Sequence, residues 1–350
     1  MEARKVQRVG YSTLAVSLPR DWVSEVNLKR GDLVTFRKEE DGSLRVYPGA
    51  QTGKGDAHNY IIHADLCNDP NLLTRIITGS YLLGHDTVQI YAKQEISTFH
   101  LNQIRKTSRR LTGISIVEQT MKHVTLQSFV DPTRFPIYGL MRRLQIILIS
   151  MQDAAVQALL DHRPDLAQEV LHMEEEADRI YWLIVRQLLL AIRDRRIAKE
   201  VGIEGFMHIL GDRVVTKTFE EMADRASAMA EEYIRLKDRK YVIRPSIAKQ
   251  LKELNSIVQK LSDTALRALM TKNVKQANEV IEAVSSLEER ERTLTESTLS
   301  EIEDLALAVG LRTIILNLTQ IGKYCETIAE IAMNRMLESP SEVVEWVKVN

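Results

Sequence analysis

Two pairs of carboxylates carry a spacing that could do chemistry: Glu174 with Asp178, and Glu220 with Asp224. Each pair stands i, i+4, so on a helix both side chains leave one face. Like charges at that spacing repel on an isolated helix. Brought together between neighbouring helices, they form an acidic cluster that a bound cation stabilises most simply. Carboxylate-only donor sets suit hard or borderline ions. A solvated acidic helix flank is the other reading of the same residues. Basic residues form two further groups. Arg4, Lys5, Arg8 and Arg20 crowd the start of the chain, and Arg105, Lys106, Arg109 and Arg110 line one side of a later helical stretch. The second group could hold phosphate or a DNA backbone, although most such runs are solvated faces.

The elements that must position these residues follow from composition. A chain of 350 residues holds two or three domains by size. It is 44% hydrophobic but only 5% aromatic, which favours helix bundles. Its net charge of −1 gives no global attraction to nucleic acid, so any such surface must be local. Cys67 and Cys325 are isolated, which points to a reducing compartment without a disulfide framework. The start has no apolar leader pattern, and the apolar stretch 181–192 is broken by Arg186 and Gln187. These features lead us to expect a cytoplasmic protein with no membrane span.

Enzyme signatures are sparse. A carboxylate-bridged di-iron oxidase needs two Glu-x-x-His motifs and two more glutamates. Only Glu169 with His172 has that spacing in a suitable place. No Gly-rich phosphate loop or nucleophile elbow is present. The expectation is a protein that is not an enzyme.

Residues 4–9 and 13–18 alternate as strands around Gly10, Pro19 precedes a short helix, and strands near 33–37 and 44–48 flank a turn with Asp41-Gly42. About fifty residues make a small independent core, a shortage that dimerisation would relieve. The segment 1–50 resembles the SpoVT/AbrB family of swapped-hairpin DNA-binding domains, through RKVQRVG, Leu18-Pro19, RDWVSEV and LKRGDLVTFRKEEDGSLRV. The resemblance implies a β-barrel interleaved from two chains, with Arg4, Lys5, Arg8 and Arg20 toward DNA. The Tyr11-Ser12 insertion departs from the tight Gly-Arg turn of the bacterial regulators. Acidic residues nearly balance the basic ones across the segment, so a module that only dimerises is the alternative.

Residues 49–56 read as a linker, and 56–133 as a small α/β domain of order β-α-β-α-β-β, whose role the sequence does not reveal. Asp69 before Pro70 reads as a helix N-cap, and Gly84 and Gly113 as helix stops.

From 134 to 338 the apolar period becomes that of long bundle helices, as in Val215, Phe219, Met222, Ala226, Met229, Tyr233 and Leu236. Six helices fall into two copies, about 137–237 (137–161, 165–199, 204–237) and 246–338 (246–271, 274–306, 311–338). Leu140, Leu144, Ile147 and Met151 align with Ile247, Leu251, Leu254 and Val258. Residues 170–180 align with 280–290, and 217–232 with 316–331. The arrangement resembles PhoU, the phosphate-uptake regulator, whose fold is a tandem pair of three-helix bundles. Each PhoU bundle carries an acidic motif on its second helix and another on its third. Those motifs match Glu174-x-x-x-Asp178 and the stretch from Phe219 to Ala226 containing Glu220 and Asp224. The end of the third-helix motif recurs from Ile321 to Glu330. The resemblance implies a divalent or multinuclear metal (iron, zinc, manganese or magnesium) at Glu174, Asp178, Glu220 and Asp224. The second copy has Val284, Glu288, Thr319 and Lys323 at the aligned positions, a degenerate site that a metal would not accept.

The fold expected is therefore mainly α: tandem three-helix bundles preceded by a small swapped-hairpin β-barrel domain and a small α/β domain. Joined in this way the parts resemble archaeal PhoU homologues. The function implied is regulation of phosphate uptake and homeostasis by a DNA-binding homodimer. The alternative is an adaptor that contacts a phosphate transporter or signalling protein and uses its N-terminal domain only to dimerise.

Overall fold

The computed structural model of the protein describes residues 3–38, 42–49, 60–239, 241–338, 340, 343–345 and 347. The chain divides into two compact units, 1–58 and 59–350. The first holds β1 (Gln7–Val9), β2 (Thr13–Ala15), α1 (Arg20–Glu25), β3 (Val34–Lys38) and β4 (Leu44–Pro48). β1 pairs antiparallel with β2, and β3 with β4. Gly10 supplies the positive φ of 71° that the first turn needs. Asp41 of the expected second turn and the linker 50–56 lie outside the described residues. No described residue of this unit is buried. Val9, Leu14, Leu33, Phe36 and Leu44 are each more than half exposed.

The second unit begins with a four-stranded sheet of order β5-β6-β8-β7, built from β5 (Tyr60–His63), β6 (Thr87–Tyr91), β7 (Ile114–Gln119) and β8 (His123–Ser128). β5 and β6 are parallel, as a right-handed crossover through a helix permits, and the other pairs are antiparallel. The helices α2 (Leu72–Leu82) and α3 (Thr98–Arg110) complete the expected order β-α-β-α-β-β. One N-cap position moves: Asn71, in the left-handed region and without a side-chain capping bond, stands there rather than Asp69, so Pro70 precedes the helix. Gly84 ends α2 at φ 85°, and a β-carbon there would meet Leu190 Cδ2 at 2.4 Å, so the turn sits hard against the bundle.

The bundle contains α4 (Ile137–Leu160), α5 (Pro164–Arg193), the short α6 (Arg195–Glu200) and α7 (Phe206–Leu236), then α8 (Pro245–Thr271), α9 (Val274–Ser285), α10 (Leu287–Glu301) and α11 (Leu305–Met336). Prolines at the first positions of α5 and α8 start helices where a missing N–H costs nothing. α4, α5 and α7 pack as one bundle, and α8, α9, α10 and α11 as the other. Contacts of α7 with α11 and of α4 with α8 fuse the two into one continuous core. All seven residues of the seam from Val215 to Leu236 are buried. Two expected helices are broken. The helix read over 165–199 stops at Asp194, whose carboxylate accepts from Arg196 N and caps α6. The helix read over 274–306 breaks at Ser286. There Ser285 and Ser286 donate to the carbonyls of Glu282 and Ala283, competing with the helical ladder. The described helix with the longest apolar window is α11, not the stretch 181–192. It is long and apolar enough to cross a membrane, but 61% of its most apolar window is buried inside the bundle.

The sheet layer and the bundle fall within one compact unit, 59–350, and each keeps a hydrophobic core of its own. Polar contacts along α5 tie them together. The guanidinium of Arg186, 2% exposed, donates to Tyr81 O, pairs with Asp86 at 3.0 Å and lies 4.8 Å over the Tyr81 ring. Arg193 donates to Leu83 O at 2.6 Å, and Gln187 to Pro132 O at 2.7 Å. The arginine and glutamine that break the apolar stretch in the sequence are therefore tertiary contacts; Tyr81 O and Asp86 hold the buried Arg186 charge, while its Nε has no hydrogen-bond partner.

Candidate functional site

The carboxylates of the first bundle stand on α5 (Glu174, Asp178) and α7 (Glu220, Asp224), which pack together. Their fields overlap. Partial burial pushes the Glu174 carboxyl up to about 7; Asp178 and Asp224 push the same way, and Arg110 opposes them. Partial burial also raises Glu220 and Asp224, with further upward pushes from Asp224 and Asp178 on the former and from Asp178 on the latter. Protons bind these carboxyls more tightly because a further negative charge here is costly.

Two basic side chains answer part of this charge. Arg110, the last residue of α3, reaches from the sheet layer to Asp178, with Nη2 to Oδ2 at 2.5 Å. The Asp178 side chain is only 12% exposed there. Lys217, one turn before Glu220 on α7, pairs with Glu220 and lies 3.6 Å from Glu221. Among the described residues, no three His, Cys, Asp or Glu side chains are arranged to hold a metal ion. Asp178 is turned to the guanidinium and Glu220 to the ammonium. The donor type suits a divalent cation, but Arg110 and Lys217 occupy Asp178 and Glu220 as the side chains stand.

Sequence reasoning missed both basic partners. Lys217 was within reach of it, because a Lys three residues before a Glu is a helical ion pair. Arg110 lies 68 residues from Asp178, and nothing local signals their meeting.

The second bundle differs at every aligned position. Lys323 of α11 pairs with Glu288 of α10 at 2.6 Å, facing it across neighbouring helices as the alignment of the copies requires. Lys323 holds the Glu288 carboxyl below its usual range. Val284 is 5% exposed within the core, and Thr319, 2% exposed, donates back to Ile315 O. Two acid positions of one copy, those of Glu174 and Glu220, are thus core positions of the other.

In the first unit Arg4, Lys5, Arg8 and Arg20 are all exposed. Arg8 lies in β1 and donates to Tyr11 O across the turn at 2.6 Å, and Arg20 opens α1. The inserted Tyr11 is 98% exposed.

Comparison with known proteins agrees with this anatomy. Residues 7–54 match the family described as antidote-toxin recognition MazE, bacterial antitoxin. The structure is similar to that of PhoU from Pseudomonas aeruginosa, with a TM-score of 0.51 at 19% identity over 58% of this chain and 96% of that one. A further likeness is to the phosphate transport system regulatory protein PhoU from Streptococcus pneumoniae, with a TM-score of 0.49 at 15% identity over 60% of this chain and 96% of that one. No curated protein matches the sequence. The PhoU domain model matches twice, over 141–233 and 251–332, one match for each bundle and together half of the chain. With both bundles and their repeat accounted for in this way, the chain belongs to the PhoU family.

Proposed function

We propose that the protein regulates phosphate uptake and homeostasis in the cytoplasm as a DNA-binding homodimer whose PhoU bundles take up a cation and contact a transporter or signalling partner. The observation that carries the reading is the joining of two PhoU domains to a unit that cannot bury its own apolar side chains. With Val9, Leu14, Phe36 and Leu44 exposed in one copy, a second copy offers the missing core. A dimer doubles every basic side chain on the surface, so Arg4, Lys5, Arg8 and Arg20 meet phosphates as two sets. Titration of duplex DNA at several salt concentrations tests this: affinity falls steeply with salt, and Arg8→Ala with Arg20→Ala lowers both affinity and salt slope. A dimer that binds no DNA is instead the adaptor, with the N-terminal unit serving only dimerisation.

The acid set supports the cation part of the proposal. Glu174, Asp178, Glu220 and Asp224 bind one divalent ion (iron, zinc, manganese or magnesium) in competition with Arg110 and Lys217. Because Arg110 belongs to the sheet layer, exchange of its guanidinium for a metal would loosen one tie between that layer and the bundle.

A further inference from the structure

An open cleft of about 650 Å³ lies between α3 and α5. One wall is Asn102, Arg105, Lys106 and Arg109 of α3; the other includes Glu174 and Glu175 of α5. The α3 residues stand i, i+3, i+4 and i+7, so they form a single stripe along the helix. Beneath them Ile104 and Thr107 are buried and anchor that stripe to the layer below. Among the described residues, Arg105, Lys106 and Arg109 have no carboxylate partner, whereas Arg110 next to them is engaged by Asp178. Three unpaired cations are held together at the mouth of a cleft, where their mutual repulsion is relieved by an anion.

We infer that this cleft binds an oligophosphate, two or more linked phosphate groups, as its magnesium complex. Size argues for more than one phosphate. From Arg105 to Arg109 the helix rises about 6 Å at 1.5 Å per residue, longer than a single phosphate group and matched by a short chain of linked ones. Arginine forks and a lysine point charge are the usual partners of such oxygens. The acidic wall argues for the metal complex. A bare polyanion would be repelled by Glu174 and Glu175, whereas magnesium bridges phosphate oxygens to one or two carboxylates while keeping several waters. The same wall argues against a nucleic-acid duplex, whose long backbone could not meet α3 without also meeting the acids of α5. The inference stands on the cleft itself and survives failure of the DNA-binding or transporter reading.

The experiment is calorimetric titration of the full-length protein with tripolyphosphate, ATP and orthophosphate, each with magnesium and with EDTA. Saturable binding of tripolyphosphate or ATP with magnesium is expected. Tighter tripolyphosphate identifies an inorganic chain, and tighter ATP a nucleotide tail. Arg105→Ala, Lys106→Ala and Arg109→Ala together, with Arg110 left in place, weaken it at least about tenfold through loss of charge-assisted contacts. The circular dichroism and melting temperature of this variant stay unchanged, because the three side chains are exposed. Glu175→Gln weakens binding in magnesium and not in EDTA. The inference is overturned by no saturable binding, by equal binding of orthophosphate, by equal affinity in EDTA, or by affinity that the triple variant retains. It is also overturned if that variant loses duplex DNA instead, which would make α3 a nucleic-acid surface.

Discussion

In the first PhoU repeat an acid set stands half-buried and draws one of its cations from another layer of the molecule. In the second the aligned positions are a core valine, a back-bonded threonine and an exposed ion pair complete in itself. The backbone differs as well as the charge: α5 runs unbroken through Glu174 and Asp178, whereas the aligned stretch breaks at Ser286, between Val284 and Glu288. One site holds negative charge in reserve, at a cost that raises the affinity of its carboxyls for protons. The other has none in reserve, and its only acid is pulled the opposite way by Lys323.

The largest effect that separates them comes from exchanging the aligned residues Glu174 and Val284. Val284→Glu places an unpaired carboxylate in a core position that is 5% exposed. The expected loss is about 3 kcal/mol or more, read by urea unfolding. Glu174→Val, in contrast, stays within about 1 kcal/mol of the parent or gains, because it removes a charge that has no full partner. Equal losses in the two variants would erase the contrast between the repeats.

Next in size is Arg110→Ala, which leaves Asp178 nearly enclosed without its guanidinium. Since the Arg110 side chain is 44% exposed, solvent screening reduces the loss to about 1–2 kcal/mol by the same measurement. A variant as stable as the parent would mean that the pair is ornamental to the interlayer contact.

A smaller effect is a pH slope. Glu174 is raised from the ordinary 4.5 to about 7, so its contribution to folding is most favourable below pH 4.5 and is lost as the pH rises through 7. Glu174→Gln should flatten unfolding free energy between those values. Glu288 slopes the other way, its lowered pKa giving stability above 4.5 that is lost as the pH falls. A slope that Glu174→Gln leaves unchanged would assign it to another group. The smallest effect is Lys323→Met, whose exposed pair with Glu288 should leave the melting temperature of the protein within measurement error.

The sequence made the bundle helices and their duplication legible, because the apolar period and the terminal prolines are local signals that packing then reinforces. It made the matching of Glu288 to Lys323 legible too, since repeat alignment converts one copy into a template for the other. Helix breaks at Asp194 and Ser286 were hidden, because a cap and two serine back-bonds outweigh an otherwise continuous apolar pattern. The acid set was visible as spacing, but its closure by Arg110 was not. That contact depends on where the end of α3 lands on α5, which is a property of the assembled layers. Arg186 misled in a similar way: in the sequence it interrupts an apolar run, and in the fold it is a buried tie between layers.

The central claim is that the first repeat alone exchanges its built-in cations for a divalent metal. Equilibrium dialysis of the full-length protein against manganese, with bound metal counted per chain, tests it most directly. The account predicts saturable binding that Asp178→Asn with Asp224→Asn abolishes, that Arg110→Ala tightens by removing the competing guanidinium, and that Lys323→Met leaves alone. No saturable binding by the parent protein, or binding that persists undiminished when Asp178 and Asp224 are both replaced, would contradict it.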